Sequence, residues 1–254
     1  MPTYNDYGIV LSNYNYSESD KILNIYTKEN GLVKAIAKGV KKSNSRLGGK
    51  VTQLSCCFFQ FAKGKNLDVI TDCSQVNSFA LLRSDLNRLT YGILFLEIVR
   101  SFAHEMESES IHIYELLYSG LEHLQTINDP DLFSIKFILD FLIVHGFSPQ
   151  LETCVSCSRE VDRSISPQVN YYSCVLGGLL CVECSGFVEY KQISSQVLNI
   201  IEGCLHNFQK DSSIKTNHDI ASRENIQIAL DLLRDHINLR AKSKIKTFDI
   251  VFSL

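Results

Sequence analysis

The chain contains no tryptophan, and that absence decides nothing. Other absences exclude more. No uninterrupted apolar run approaches membrane-spanning length, because the stretch Ile135 to Val144 is broken by Lys136 and Asp140. No membrane association is therefore expected. The opening Met1-Pro2-Thr3-Tyr4-Asn5-Asp6 lacks the basic-then-apolar pattern of a signal peptide, so a cytoplasmic protein is expected. Enzymatic signatures are missing as well. Gly48-Gly49-Lys50-Val51 has neither the spacing nor the Ser/Thr of a phosphate-binding P-loop. His104-Glu105 is not followed by the second histidine that a zinc-protease helix needs. No paired-carboxylate or Ser/His/Asp arrangement stands out, and the seven histidines are scattered. No catalytic turnover is expected. There is no internal repeat and no low-complexity tract.

Cysteine, by contrast, is plentiful: nine residues without a secretion signal imply a reducing compartment. Four of them fall in two Cys-x-x-Cys pairs, Cys154/Cys157 and Cys181/Cys184. Two such pairs on short turns can wrap one metal ion tetrahedrally, and zinc suits four thiolates because it is redox-inert and accepts that geometry. The 23 residues between the pairs slightly exceed the usual zinc-ribbon window of roughly 15–20 and suggest a small loop or hairpin. Gly177-Gly178 stands just before the second pair, where a tight turn is needed. Three other readings stay open: buried unliganded thiols, a redox dithiol, and two disulfides. Cys174, lying between the pairs, could replace a ligand. Cys56, Cys57, Cys73 and Cys204 lack pair spacing and read as packing residues. No open coordination position is apparent, so one structural ion per chain is expected rather than a catalytic one.

The net charge of −3 is uninformative, but its distribution is not. Residues 31–65 carry eight basic side chains and no acidic one, whereas residues 76–150 carry four basic and ten acidic ones. Residues 234–246 hold Arg234, Arg240, Lys242, Lys244 and Lys246 against Asp235 alone. Such asymmetry points either to an anion-binding surface on an acidic body or to ordinary solvated faces.

At 254 residues and 45% hydrophobic content, the chain can build two or three small cored domains. The first 75 residues read as strands at Tyr7 to Leu11, Ile22 to Thr27, Leu32 to Ala37, Leu54 to Ala62 and Leu67 to Thr71. Lys28-Glu29-Asn30-Gly31 and Lys63-Gly64-Lys65-Asn66 are turns. Gly39 to Lys50 is a basic loop too long for a simple hairpin. Five short strands in that length suggest a small closed barrel, with an OB-fold as the natural candidate. Helical spacing begins near residue 79 and continues over Ile111 to Leu124. A third helix opens at Asp129-Pro130, an N-cap followed by a first-turn proline, and runs to Val144. Helices are also expected over Ser195 to Phe208 and Ser222 to Leu239, joined by a polar linker from Gln209 to Asn217. The expected fold is α+β and multidomain. Its parts are an OB-fold β-barrel (1–78), a helical domain (79–151 and 192–254) and an inserted four-cysteine zinc module (152–191).

Specific residues then carry a resemblance. Gly8-Ile9-Val10-Leu11 is followed by Ser17-Glu18-Ser19-Asp20-Lys21-Ile22-Leu23 and by Ile25-Tyr26-Thr27-Lys28-Glu29-Asn30-Gly31-Leu32. Next come Ala35-Ile36-Ala37-Lys38-Gly39-Val40-Lys41-Lys42-Ser43 and Ser45-Arg46-Leu47-Gly48, and later Gly177-Gly178-Leu179-Leu180-Cys181-x-x-Cys184. This pattern resembles the RecO family of bacterial recombination mediators from about residue 7 to residue 240, most strongly in the first 75. The resemblance implies a non-enzymatic, nucleoid-associated protein of DNA repair and recombination. It implies binding of single- and double-stranded DNA and annealing of complementary strands. It also implies work with RecR, and often RecF, to load RecA onto strands coated by single-stranded-DNA-binding protein (SSB).

The residue chemistry is compatible with that role. Lys34, Lys38, Lys41, Lys42, Arg46 and Lys50 lie in or beside the glycine-flanked loop, where cations can displace counterions from a phosphate chain. Tyr4, Tyr14, Tyr16, Tyr26, Phe58, Phe59 and Phe61 are available either as base-stacking platforms or as barrel packing. A groove between apolar helices rimmed by Lys or Arg would suit the acidic, Phe-ending SSB tail. The rival readings are a zinc-containing OB-fold factor that binds RNA, a cysteine-based oxidoreductase, and a pure protein scaffold.

Overall fold

The computed structural model describes residues 2–104, 108–161, 169–206 and 222–253. It divides into two compact units, one ending at Thr126 and the other running from Ile127 to Ser253.

The first unit begins with strands β1 (Thr3–Asn15), β2 (Lys21–Thr27), β3 (Gly31–Ala37), β4 (Cys56–Ala62) and β5 (Asp68–Asn77). Their pairings close on themselves in the order β1-β2-β3-β5-β4. β1 is far longer than its apolar stretch Tyr7 to Leu11, because its two halves serve different neighbours. Thr3 to Ile9 pairs with β4, and Gly8 to Asn15 pairs with β2 across a register shift between Val10 and Ser12. Its polar flanks (Asn5, Asp6, Asn13, Asn15) hide this from an apolar count. Conversely, β4 starts two residues later than expected, since Leu54 sits at φ +66, a left-handed conformation that ends strand pairing. Inward-facing Val10, Leu23, Ile25, Ala35, Phe59 and Phe61 fill the interior.

The turn from β2 to β3 is held from inside. Gly31 supplies a φ of +63. Buried Asp6 accepts hydrogen bonds from the backbone N–H groups of Glu29 and Asn30 and from the Asn30 side chain. A 3-10 turn (Ala80–Ser84) leads into α1 (Leu86–Phe102), and α2 (Ser110–Leu124) follows. α1 packs on β1 and α2, while α2 packs on β1, β2 and β3. Lys28 pairs with Glu115, and Ser110 Oγ donates to the Lys28 carbonyl, tying α2 to the turn.

In the second unit α3 (Pro130–Val144) opens as the sequence implies. The Asp129 carboxylate accepts from the Leu132 N–H, and Pro130 occupies the first turn. α3 packs against α5 (Ser195–His206) and α6 (Arg223–Asn238). Ile226, Ala229, Leu230, Leu233 and Ile237 are the buried stripe of α6, and Ser222 caps it by accepting from the Asn225 N–H. The linker Gln209 to Asn217 and the helix end at Phe208 lie outside the described residues.

Between the cysteine pairs, β6 (Val169–Ser173) and β7 (Gly178–Leu180) form the hairpin that the spacing suggests. Not expected were a third strand, β8 (Lys191–Ser194), giving the order β7-β6-β8, and a short helix α4 (Val182–Ser185). A final helix α7 (Thr247–Val251) follows the basic stretch. No described helix is long and apolar enough to cross a membrane.

Candidate metal centre and nucleic-acid surface

The first half of the cysteine site is a knuckle built by its own backbone. Thr153 bridges Glu160, the Cys154 N–H donates to the Arg159 carbonyl at 2.8 Å, and the Ser158 N–H returns to the Cys154 carbonyl at 2.8 Å. Ser158 accepts a φ of +61 to close the turn. The second half sits on α4, which begins immediately after Cys181. Gly178 lets the halves meet. A Cβ there would collide with the Gln150 carbonyl oxygen, and Gln150 and Gly178 form a parallel bridge. The Val155 N–H donates to the Leu179 carbonyl beside it.

The four sulfurs of Cys154, Cys157, Cys181 and Cys184 lie within 4.8 Å of one another. The Cys157 and Cys181 sulfurs are 3.8 Å apart. A tetrahedron with Zn–S bonds of about 2.3 Å has edges of about 3.8 Å, so donor type and spacing are compatible with zinc. The backbone N–H and the guanidinium of Arg159 hold the Cys157 thiol down to about 6, ready to act as a thiolate. Arg159 also reaches Glu183 on the other half, at 3.8 Å. Cys174 is not part of the cluster; its sulfur lies against the Leu232 carbonyl. Cys56, Cys57, Cys73 and Cys204 are buried, as packing residues would be.

Basic residues of the first unit gather where the loop after β3 folds onto the β1–β2 turn. The Asp20 carboxylate accepts from the Gly39 N–H at 2.8 Å, which together with Ser19 and Ser17 holds it below its ordinary range. The Lys41 N–H donates to the Ser19 carbonyl, and its ammonium donates to the Ser17 carbonyl. The loop is not a free flap, because Val40, Leu47 and Val51 are buried in the barrel interior. This anchoring leaves Lys38, Lys41, Lys42 and Arg46 exposed. Lys34 is exposed on β3. Lys50 is placed differently: it is half-buried, and its ammonium donates to the Cys73 carbonyl at 3.2 Å. Among the described residues, none of these six cations ion-pairs with a carboxylate.

The aromatic candidates separate cleanly. Tyr26, Phe59 and Phe61 are fully buried, and Tyr4 stacks on Phe61 with its O–H on Asp68. Tyr14 and Tyr16 are 49% and 59% exposed at the end of β1, next to the Ser17–Asp20 turn that holds Lys41. Phe58 is partly exposed against Tyr7, a cross-strand pair that the sequence pattern did not single out. The C-terminal basic stretch is largely engaged within its own unit. Arg234 pairs with Asp231 and Asp235, Arg240 donates to the carbonyls of Cys174 and His236, and Lys244 pairs with Asp249.

A residue that sequence alone did not mark is His236. It is buried, its Nε2–H donates to the Phe147 carbonyl at 2.9 Å, and its Nδ1 accepts from the Tyr172 O–H at 2.6 Å. Burial first, and the nearby Arg240 charge second, press its pKa down to about 4, so it is neutral.

Comparison with known proteins agrees with this layout. The family model described as "Recombination protein O N terminal" matches residues 1–79, and that described as "Recombination protein O C terminal" matches residues 83–247. The chain is 28% identical over 231 residues to the DNA repair protein RecO of Dehalococcoides mccartyi strain BAV1, covering 88% of this chain and 89% of the relative. It is 30% identical to that of Rubrobacter xylanophilus (72% of each chain) and 36% identical to that of Moorella thermoacetica (70% of this chain, 65% of the relative). With both halves matched over nearly its whole length, the chain belongs to the recombination protein O family.

Proposed function

We propose that this protein is a DNA repair and recombination mediator that binds DNA strands by their backbones and anneals complementary ones. The observation that carries this reading is a set of exposed cations without a carboxylate ion pair among the described residues, Lys38, Lys41, Lys42 and Arg46, on a loop that folds onto the turn led into by the exposed rings of Tyr14 and Tyr16. Cations release counterions from phosphates without reading sequence, and rings stack on any base. A strand held in this way keeps enough of its base edges free to pair with a complement. The strand order β1-β2-β3-β5-β4 supports assigning the barrel to the OB-fold, a common carrier of single strands. The printed names of the relatives support the repair role.

The finer parts of the reading follow from family membership. RecR, and often RecF, are the expected partners in loading RecA, and SSB-coated strands are the substrate in a cytoplasmic, nucleoid-associated setting. The protein does no bond-breaking of its own. Residues 1–78 form the DNA-binding module and 152–191 the insert; of the helices, α1 and α2 lie in the unit of the module and α3, α5 and α6 in the second unit. That insert holds one structural zinc ion through Cys154, Cys157, Cys181 and Cys184; when bound, the ion supplies only cross-linking of the two knuckles. The SSB tail needs a cationic apolar groove. The 320 Å³ cavity by Val175, Tyr190 and Leu239 is not that groove, since Glu189 and Asp235 oppose Lys191 on its wall.

The test is strand annealing on SSB-coated oligomers, with and without RecR. Acceleration of annealing on bare strands, and RecR-dependent activity on coated ones, are the expected results. No annealing at any salt concentration would sink the reading. So would tighter binding to RNA than to matched DNA.

A further inference from the structure

A second cavity, of about 230 Å³, opens on the barrel wall between the start of β1, β3 and the β4–β5 turn. Tyr4, Lys34, Lys63, Lys65, Asn66 and Asp68 line it. Its single carboxylate is already engaged. Asp68 accepts from the Tyr4 O–H at 2.5 Å and from the Gly64 N–H at 3.0 Å. Lys63 stands 5.4 Å over the Tyr4 ring, and none of the three lysines has a carboxylate partner among the described residues. Three ammoniums against one occupied carboxylate leave an excess of two positive charges facing the cavity.

Size and charge together select the ligand. The volume is below the roughly 300–1,000 Å³ of pockets that enclose whole drug-sized molecules, so a small polar group attached to a chain fits better than a whole nucleotide. A phosphate inside a strand carries one negative charge. A phosphomonoester carries about 1.5 to 2 at neutral pH and offers three strong acceptor oxygens. Lys34 sits on the same strand that feeds the basic loop at Lys38, which connects the cavity to the path described for DNA.

We propose that this cavity binds the terminal phosphomonoester of a DNA strand, so that the protein distinguishes a phosphorylated end from strand interior. The proposal rests on the DNA-binding reading of the barrel. It is tested by titrating the full-length protein with one oligothymidylate in three forms: hydroxyl-ended, 5′-phosphorylated and 3′-phosphorylated. A hydroxyl-ended oligomer one nucleotide longer controls for added charge. One phosphorylated form should bind about tenfold tighter than the hydroxyl-ended one, and the gain should fall below about threefold in Lys63→Gln/Lys65→Gln. Both lysines are exposed, and a thermal melt checks that the variant is folded. Lys65→Gln alone, which leaves the Lys63–Tyr4 contact in place, should lower the gain partially. Equal affinity for all forms, or a gain that survives the double substitution, would overturn the end-binding proposal while leaving DNA binding intact. Failure of the hydroxyl-ended oligomer to bind at low salt would instead overturn the DNA-binding reading beneath it.

Discussion

Single residues separate what holds the barrel from what faces a ligand. Lys38 and Lys41 are exposed, Lys41 with its ammonium on the surface Ser17 carbonyl, whereas Lys50 is half-buried with its ammonium on the Cys73 carbonyl. Lys38→Glu with Lys41→Glu should weaken single-strand binding and flatten the dependence of log affinity on log salt, because fewer counterions are released. Fluorescence anisotropy across a salt series reads both, and unchanged affinity would remove the loop from the mechanism. His236 illustrates a different role. Its folded pKa of about 4 lies below the unfolded value of about 6.5, so between these pH values the unfolded chain binds a proton that the native one does not. Its contribution is fully present above about pH 6.5 and is lost as pH falls toward 4. The shift corresponds to up to about 3 kcal/mol, and groups that face the ring (Tyr172, Arg240, the Phe147 carbonyl) leave no room for a second charge. Urea unfolding between pH 7.5 and 4.5 should show this loss. His236→Gln should flatten that part of the profile, and a wild-type profile already flat there would contradict the assignment.

At the level of elements, the second cysteine knuckle of the insert, on α4, depends on a cross-link more than on a core. α4 has four residues, none of them buried, and β7 has three residues. Elements this short do not stand alone. With zinc bound, stripping the metal with a strong chelator should lower the melting temperature, and Cys157→Ser should reproduce the effect; one equivalent of zinc per chain should be released. A protein that carries no zinc, or melts identically without it, would favour the unliganded-thiol reading. The same insert shows what a sequence conceals. The cysteine spacing marks the site, and Gly177-Gly178 marks its turn. The spacing also suggests the β6–β7 hairpin, but the third strand goes unread because β8 is Lys-Gln-Ile-Ser, too short to show alternation. α7 follows a run of charges and five residues give it no period.

For the molecule as a whole, the legible parts were those that local chemistry dictates. Asp129-Pro130 opens a helix because a carboxylate caps it and proline fits its first turn, while Asn30-Gly31 turns because glycine takes positive φ. Less legible was anything decided by distant partners: the split duty of β1, the burial of Asp6 under a turn more than twenty residues away, and the inward reach of Lys50. Which of seven aromatic residues are free to stack was equally a tertiary outcome, since Tyr14 and Phe59 occupy strands of similar character but opposite faces. One detail of the barrel has a kinetic consequence. β3 meets β5 along only two residue pairs, Ala35–Asp68 and Ile36–Val69, while every other neighbour in the ring shares seven. Such a short parallel seam is where the cylinder should breathe first, so amide protons flanking it should take up deuterium sooner than those of β1 or β4. A polynucleotide seated beside Lys34 would act as a clasp on that seam, visible as slowed exchange at Lys34 to Ile36 and at Asp68 to Ile70.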